Sequence, residues 1–382
     1  MPSTSNSGGA PDVAIIGGGI IGCSIALRLA QNGLKVTVLE KGKPGGEASS
    51  AAAGMIAPQG EITQPDAFFE LCAASRDLYP DFISEIAKLS GMPIYYRQSG
   101  AILLALDERE AQELDSIYLG QTGAGLAVEK LTATEACGRM PVLSGEIRQA
   151  LFVAGDHWVD NEELTQALEM ACQRVGVQFC SDLEVKRLNL NGEGITSVET
   201  SANGSGPARF SAGYFVLAAG AWSGELAESA GFNLPVLPCR GQMMEFECDS
   251  DLPLVARAGH HYLVPHRGRR VLVGTTAEYV GHHKAVTAEG LQSILAGVAR
   301  IAPGVKQMRF RRAWSGLRPD TADHLPVLGR GQIQNLAFAT GHFRNGILLA
   351  PVTAKLISEL IVNASPSRPL DAYSPDRFGH RK

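Results

Sequence analysis

An α/β fold is predicted for this chain: a parallel sheet with helices on its faces, joined to a second, mixed and sheet-rich domain. Three observations carry the prediction. The run Asp12-Val-Ala-Ile-Ile-Gly17-Gly-Gly19-Ile-Ile-Gly22 is a short apolar strand entering a glycine-rich loop, followed by a helix over about Ile20–Asn32 and a second strand, Lys35–Leu39, closed by Glu40. Strand-like runs then crowd the region from Leu237 to Phe310. Finally, an apolar, glycine-bearing block, Trp314–Ile361, returns late in the chain.

The first observation is a complete Rossmann-type βαβ unit. Gly17 permits the tight turn, Gly19 lets a pyrophosphate approach the backbone, and Gly22 lets helix and strand pack closely. The helix start directs free N–H groups and its dipole at the phosphates. Glu40 stands where a carboxylate accepts from a ribose hydroxyl. Strand, glycines, helix, strand and acid in register distinguish this unit from an ordinary glycine turn.

Composition narrows the function. The chain has 382 residues, 45% hydrophobic and 19% charged, with a net charge of −5. That is enough for two domains with full cores, and it supplies no basic stripe for nucleic acid and no polybasic membrane patch. No apolar stretch approaches the roughly 20 residues of a membrane span. Seven dispersed cysteines without a CxxC pair fit reduced thiols in a cytoplasmic protein. His260-His261 and His282-His283 lack metal-ligand spacing, so no metal site is expected. Residues 1–10 read as a disordered tail, and the proline-bearing segment 366–382 as a C-terminal one.

The remaining elements follow from periodicity. Asp66–Leu89 has helical spacing, with Pro80 expected to bend or divide it. Ala101–Leu106 reads as a strand, Glu108–Gln121 as a helix, and Asn161–Val175 as a helix capped by Asp160 or Asn161. Short strands at Gln178–Phe179, Val185–Leu188, Ile195–Thr200 and Arg209–Phe210 alternate with the turn clusters Asn189–Gly192 and Asn203–Gly206. Such an antiparallel insert is expected to cover one face of the parallel sheet. Tyr214–Ser223 is a buried strand ending at Gly220. Strands Gln242–Phe246, His261–Pro265 and Arg270–Gly274 and the helix Ala288–Ile301 build the second domain. A last helix is expected over Val352–Ile361. The cofactor domain is thus expected to be discontinuous (11–85, 147–230 and 314–365), with 86–146 and 231–313 forming the substrate domain.

Four motifs sharpen this reading: Ala52-Ala-Gly54-Met55, His261-Tyr262-Leu-Val-Pro265, Trp314-Ser-Gly-Leu-Arg318-Pro319 and Gly341-His-Phe-Arg344-Asn-Gly346-Ile-Leu-Leu-Ala-Pro351. In this order they resemble the D-amino-acid oxidase family of FAD enzymes, in particular its glycine-oxidising, thiamine-linked branch, from Val13 to about Val362. The resemblance implies non-covalent FAD held by the fingerprint glycines, by Ile20, Ile21, Glu40, Lys41, Ala48, Ser49, Ala53, Gly54 and Met55, and by His342, Phe343, Arg344, Asn345, Gly346, Ile347 and Leu348. It also implies a contact at Val185, with Leu183 as its rival. Glycines around Gly341 and Gly346 would let that loop approach the flavin, and the helix beyond Gly346 would turn its positive end toward it.

For the substrate, the resemblance assigns Arg318 to a bidentate grip on the carboxylate. Tyr262 adds a hydroxyl, Arg344 lies near the amine and flavin, Met55 lines the site and His260 stands behind it. Structural alternatives are a surface ion pair for Arg318, a core position for Tyr262, a loop-carbonyl partner for Arg344 and a satisfied histidine at 260. One position departs from the pattern. The family places a methionine shortly after its VGAT strand, and here the segment reads Val273-Gly-Thr-Thr-Ala277-Glu, which would enlarge or reshape one pocket wall.

The implied reaction is oxidative deamination of glycine, sarcosine or D-alanine by hydride transfer from Cα to flavin N5. It yields a 2-oxo acid (glyoxylate from glycine), ammonia and, with dioxygen, hydrogen peroxide, or an imine passed to thiazole synthesis. A homotetramer and a thiazole synthase partner are implied with it. Sarcosine oxidase-like and quinone-reducing D-amino-acid dehydrogenase readings stay open, as do an NAD-dependent dehydrogenase and a non-catalytic flavoprotein. No cysteine lies near the Trp314 or Gly341 motifs to hold flavin covalently.

Overall fold

The computed structural model describes residues 10–60, 62–192, 194–202, 206–249 and 251–379. The expected tail over 1–9, the turn residues 203–205 and the last residues, 380–382, lie outside them. A six-stranded sheet runs in the order Val327–Arg330, Leu336–Thr340, Tyr214–Leu217, Val13–Ile16, Val36–Leu39, Gln178–Cys180. It is parallel except for the Val327–Arg330 edge.

The alternation of side chains along Val13–Ile16 explains its two covers. Val13 and Ile15 face the helices Ile20–Gln31, Asn161–Arg174 and Gly346–Asn363. Ala14 and Ile16 face the opposite side, with Val185, Leu188 and Val198 of the antiparallel insert Leu183–Asn191, Gly194–Ala202 and Ala208–Phe210. The expected hairpin turn forms, with Asn191 opposite Gly194 and Gly192 at φ +64°.

The second sheet has eight strands, from Arg309–Thr321 through Val236–Glu247, Arg270–Gly274, His261–His266, Val255–Ala258, Ala101–Ala105 and Gln149–Val153 to Glu129–Leu131. Two strands of this sheet lie across the expected domain bounds. Gln149–Val153 pairs with Ala101–Ala105 and belongs to this sheet, although it lies past 147. Position 314 falls inside Arg309–Thr321, a strand that pairs along its length with Val236–Glu247.

Three local expectations are corrected. Ala67–Ser90 is one helix with Pro80 inside it. Pro80 is exposed, so the carbonyl it leaves without a donor is on the wet side, while Ser75, Tyr79 and Phe82 pack inward. The last helix starts at Gly346 rather than Val352 and carries Pro351 within it. Its 18 residues are long and apolar enough to cross a membrane by composition, contrary to the sequence reading, but 67% of that window is buried in the protein.

The C-terminal segment is also not a tail. Leu370 and Tyr373 are buried against the helical layer, the Tyr373 hydroxyl donates to Ala67 O at 3.2 Å, and Arg377 pairs with Asp323 at 2.8 Å. Tyr373→Ala is therefore expected to cost about 3 kcal/mol of stability, as truncated buried aromatics do. Urea unfolding measures it, and a loss near zero would restore the tail reading.

Candidate cofactor and substrate site

One continuous cleft runs from the Gly17–Gly22 loop, past the Ala51–Met55 segment, to Arg318, Tyr262 and the start of the Gly346 helix. At its first end the glycines are set by close approach. A Cβ on Gly17, at φ +108°, would lie 2.3 Å from Ala218 O. One on Gly22 would lie 2.0 Å from Gly17 O. Gly19 differs, because its Cβ would meet only Ser49 Oγ, at 3.2 Å. The helix beyond has no acidic residue in its first turn and no side-chain cap at Gly19. Ser49 Oγ accepts from the Ile20 N–H at 2.9 Å, and its own O–H can donate to an oxygen ligand. Glu40 is buried, and its carboxylate accepts from Gly18 N–H at 2.7 Å and Gly42 N–H at 2.9 Å. Lys41 lies over the Trp222 ring and pairs with Glu47 at 3.3 Å. Burial lowers its pKa and Glu47 opposes that shift.

The middle of the cleft is built by the WSGLRP strand. Trp314, Gly316 and Arg318 alternate onto one face. Trp314 Nε1 donates to Ala51 O at 3.1 Å, and a Cβ on Gly316 would lie 2.5 Å from that of Ala51. Asn161 Nδ2 donates to Ser49 O at 2.8 Å and Ser50 O at 3.1 Å. Gly54, at φ +81°, would put a Cβ 1.9 Å from Val159 O. Neither glycine leaves space for a side chain against the neighbouring segment, so both let the chain pack closely at the wall of the cleft.

At the far end the Arg318 guanidinium lies over Gly241, where a Cβ would come within 2.3 Å of it. Arg318 donates to Thr275 Oγ1 at 2.7 Å and Thr276 O at 3.1 Å. The Tyr262 hydroxyl donates to Met243 Sδ at 3.1 Å. Met243 approaches Gly274 so closely that a Cβ there would lie 2.4 Å from its sulfur. The wall expected to lose a methionine after Gly274 therefore holds one supplied by the neighbouring strand. Phe343, at φ +45°, donates its N–H to Pro319 O at 2.9 Å, which ties the HFRNG loop to the LRP strand. His342 is buried, and Nε2 sits 3.1 Å from Thr353 Oγ1. Burial drops its pKa to about 3, so its imidazole is neutral.

The structure brings nearly all of the expected residues to this cleft. Val185 lines it and its rival Leu183 does not. Arg344 is exposed at it. Three residues fall elsewhere. His260 is exposed in the turn between Val255–Ala258 and His261–His266, away from the cleft, because the strand turns before reaching it. Gly22 packs under the loop without lining the cleft, and Leu348 points into the helical core. Met243, Trp222, Glu47 and Thr275 line the cleft without having been singled out. The signal for Trp222 was its place just after Gly220. Met243 carried none, since a methionine in a strand reads as core.

The dinucleotide-binding sheet and the cleft that runs on from it to Arg318 are those of a flavin-dependent oxidoreductase. The chain belongs to the FAD dependent oxidoreductase (DAO) family, whose model matches residues 12–360. It is 34% identical over 371 residues to a glycine oxidase of Geobacillus kaustophilus, covering 96% of this chain and 97% of that one. The crystal structure of glycine oxidase from the same organism superposes with a TM-score of 0.91, covering 96% of this chain and 99% of that one. A bifunctional protein ThiO/ThiG of Trichormus variabilis is 34% identical over 381 residues, and there the chain spans about half of the relative, 55%. The cleft fits FAD: Gly19, the N-terminal turn of the Ile20 helix and the Ser49 hydroxyl match a pyrophosphate, and Glu40 a ribose.

Proposed function

We propose that this protein oxidatively deaminates glycine and other small amines such as sarcosine and D-alanine. Products are the 2-oxo acid, ammonia and, with dioxygen, hydrogen peroxide, and the glycine imine is available for the thiazole of thiamine. The observation that carries the reading is the mounting of Arg318. Two of its five N–H groups are committed to Thr275 and Thr276, which leaves the rest for a ligand in the cleft.

When bound, FAD supplies the two-electron acceptor for hydride leaving the substrate Cα. The chain's own residues do the rest by binding and orientation. Arg318 grips the carboxylate. Tyr262 can exchange its weak sulfur acceptor for a carboxylate oxygen. The apolar wall of Met55 and Met243 keeps the amine small and excludes water. Positioning of this kind needs no protein base. Neutral His342, bonded to Thr353, holds its loop rather than moving a proton.

The ThiO/ThiG relatives support a thiazole synthase as partner. A homotetramer, a cytoplasmic location and the two-domain division by sheets complete the proposal. The purified protein is expected to show a flavin absorbance spectrum that bleaches under anaerobic titration with glycine, sarcosine, N-ethylglycine or D-alanine. A colourless protein after soaking with FAD, or a spectrum none of the four amines changes, would remove the reading. Peroxide yield against reduction of a quinone analogue separates it from a D-amino-acid dehydrogenase.

A further inference from the structure

The helix Gly346–Asn363 lacks one backbone rung where it meets the cleft. Pro351 has no N–H to offer the carbonyl of Ile347 one turn back. The Tyr79 hydroxyl donates to that carbonyl instead. The next rung is bridged by a side chain. Ser75 Oγ donates to Leu348 O at 2.6 Å and accepts from Val352 N–H at 3.3 Å. Ser75 and Tyr79 are both 0% exposed, and they sit one turn apart on the same face of Ala67–Ser90. Two buried hydroxyls from one helix therefore support two successive rungs of another, the first of which has no backbone donor.

The turn they hold is the one that faces the cofactor. Gly346 and Ile347 line the cleft, and the N-cap residue Asn345 places no side-chain acceptor on the first N–H groups. A donor on a first-turn carbonyl polarises its peptide in the sense of the helix dipole. It also fixes the tilt of a turn that Pro351 has cut loose from the rest.

We propose that Tyr79 and Ser75 are positioning residues for the flavin. By completing the helix around Pro351 they aim its first turn, and the positive field of its N-terminus, at the cofactor. The proposal rests on the FAD reading above. Neither residue lines the cleft, so their effect reaches the cofactor only through the helix.

The test uses holoenzyme and sulfite, whose affinity for bound flavin senses the positive field, together with the flavin midpoint potential and the Tm. Tyr79→Phe and Ser75→Ala are each expected to weaken sulfite binding by about three- to tenfold and to lower the potential, the scale of one net hydrogen bond. In the pair Tyr79→Phe/Pro351→Ala, residue 351 regains an N–H that can serve Ile347 O, and sulfite affinity should return to within about twofold of the parent. A Tm loss with sulfite affinity and potential unchanged in the single variants would overturn the proposal, as would failure of the pair to recover. Should Tyr79→Phe not fold, Ser75→Ala decides on the same readouts. A parent protein that binds no flavin would sink the FAD reading itself, a result distinct from either outcome in the variants.

Discussion

Arg318→Leu is expected to yield a yellow protein whose kcat/KM for glycine is lower by on the order of a hundredfold or more. Leucine removes a bidentate grip in which each charge-assisted bond contributes about 1.5–3 kcal/mol, and every 1.4 kcal/mol is about tenfold. The substitution also leaves Thr275 Oγ1 and Thr276 O without their donor. Flavin should stay, because the fingerprint loop and Glu40 lie at the other end of the cleft. Steady-state oxygen uptake across glycine concentrations measures the effect. An unchanged KM would show that the carboxylate is held elsewhere.

Gly19→Val should do the reverse and lose the cofactor while the fold survives. Gly19 is the fingerprint glycine whose Cβ would strike no backbone, since its close neighbour is the Ser49 hydroxyl, at 3.2 Å, which a small shift relieves. Its φ of −72° is open to any residue. The apo fold therefore tolerates a side chain, whereas a bound pyrophosphate does not. Crowding of this kind typically costs about 1–3 kcal/mol, which weakens FAD by roughly ten- to hundredfold. Gly17 and Gly22 make the control, because a Cβ at either would strike backbone and damage the fold itself. Flavin content after purification, beside a thermal melt, reads both. Stoichiometric FAD in a well-folded Gly19→Val variant would mean that the phosphates pass elsewhere.

Much of the site was legible in the sequence because its requirements are local. The βαβ unit announces itself through the spacing of Gly17, Gly19, Gly22 and Glu40. The strand and helix patterns from Gln242 to Ile301 alternate as their burial demands. The motif residues Tyr262, Arg318 and Gly346 do converge on one cleft. What failed depended on neighbours far along the chain. Leu370 and Tyr373 look like tail residues until the helical layer supplies their partners. Val352 looks like a helix start because Pro351 precedes it, but Tyr79 and Ser75 supply the bonds that let the helix begin at Gly346. His260 lies two residues from Tyr262, just ahead of its motif, yet a hairpin turn sends it into solvent.

The amino-acid sequence by itself determined the dinucleotide-binding unit, since the spacing of Gly17, Gly19, Gly22 and Glu40 is short-range, and its motifs resemble a family of FAD enzymes in which Arg318 would be a guanidinium clamp. Only the tertiary structure decided what stands around that clamp: Gly241 beneath Arg318, Met243 against Tyr262, and Ala51 held by Trp314. Those contacts arise where strands distant in sequence pair in register, and no local pattern of side chains encodes which of them will face each other.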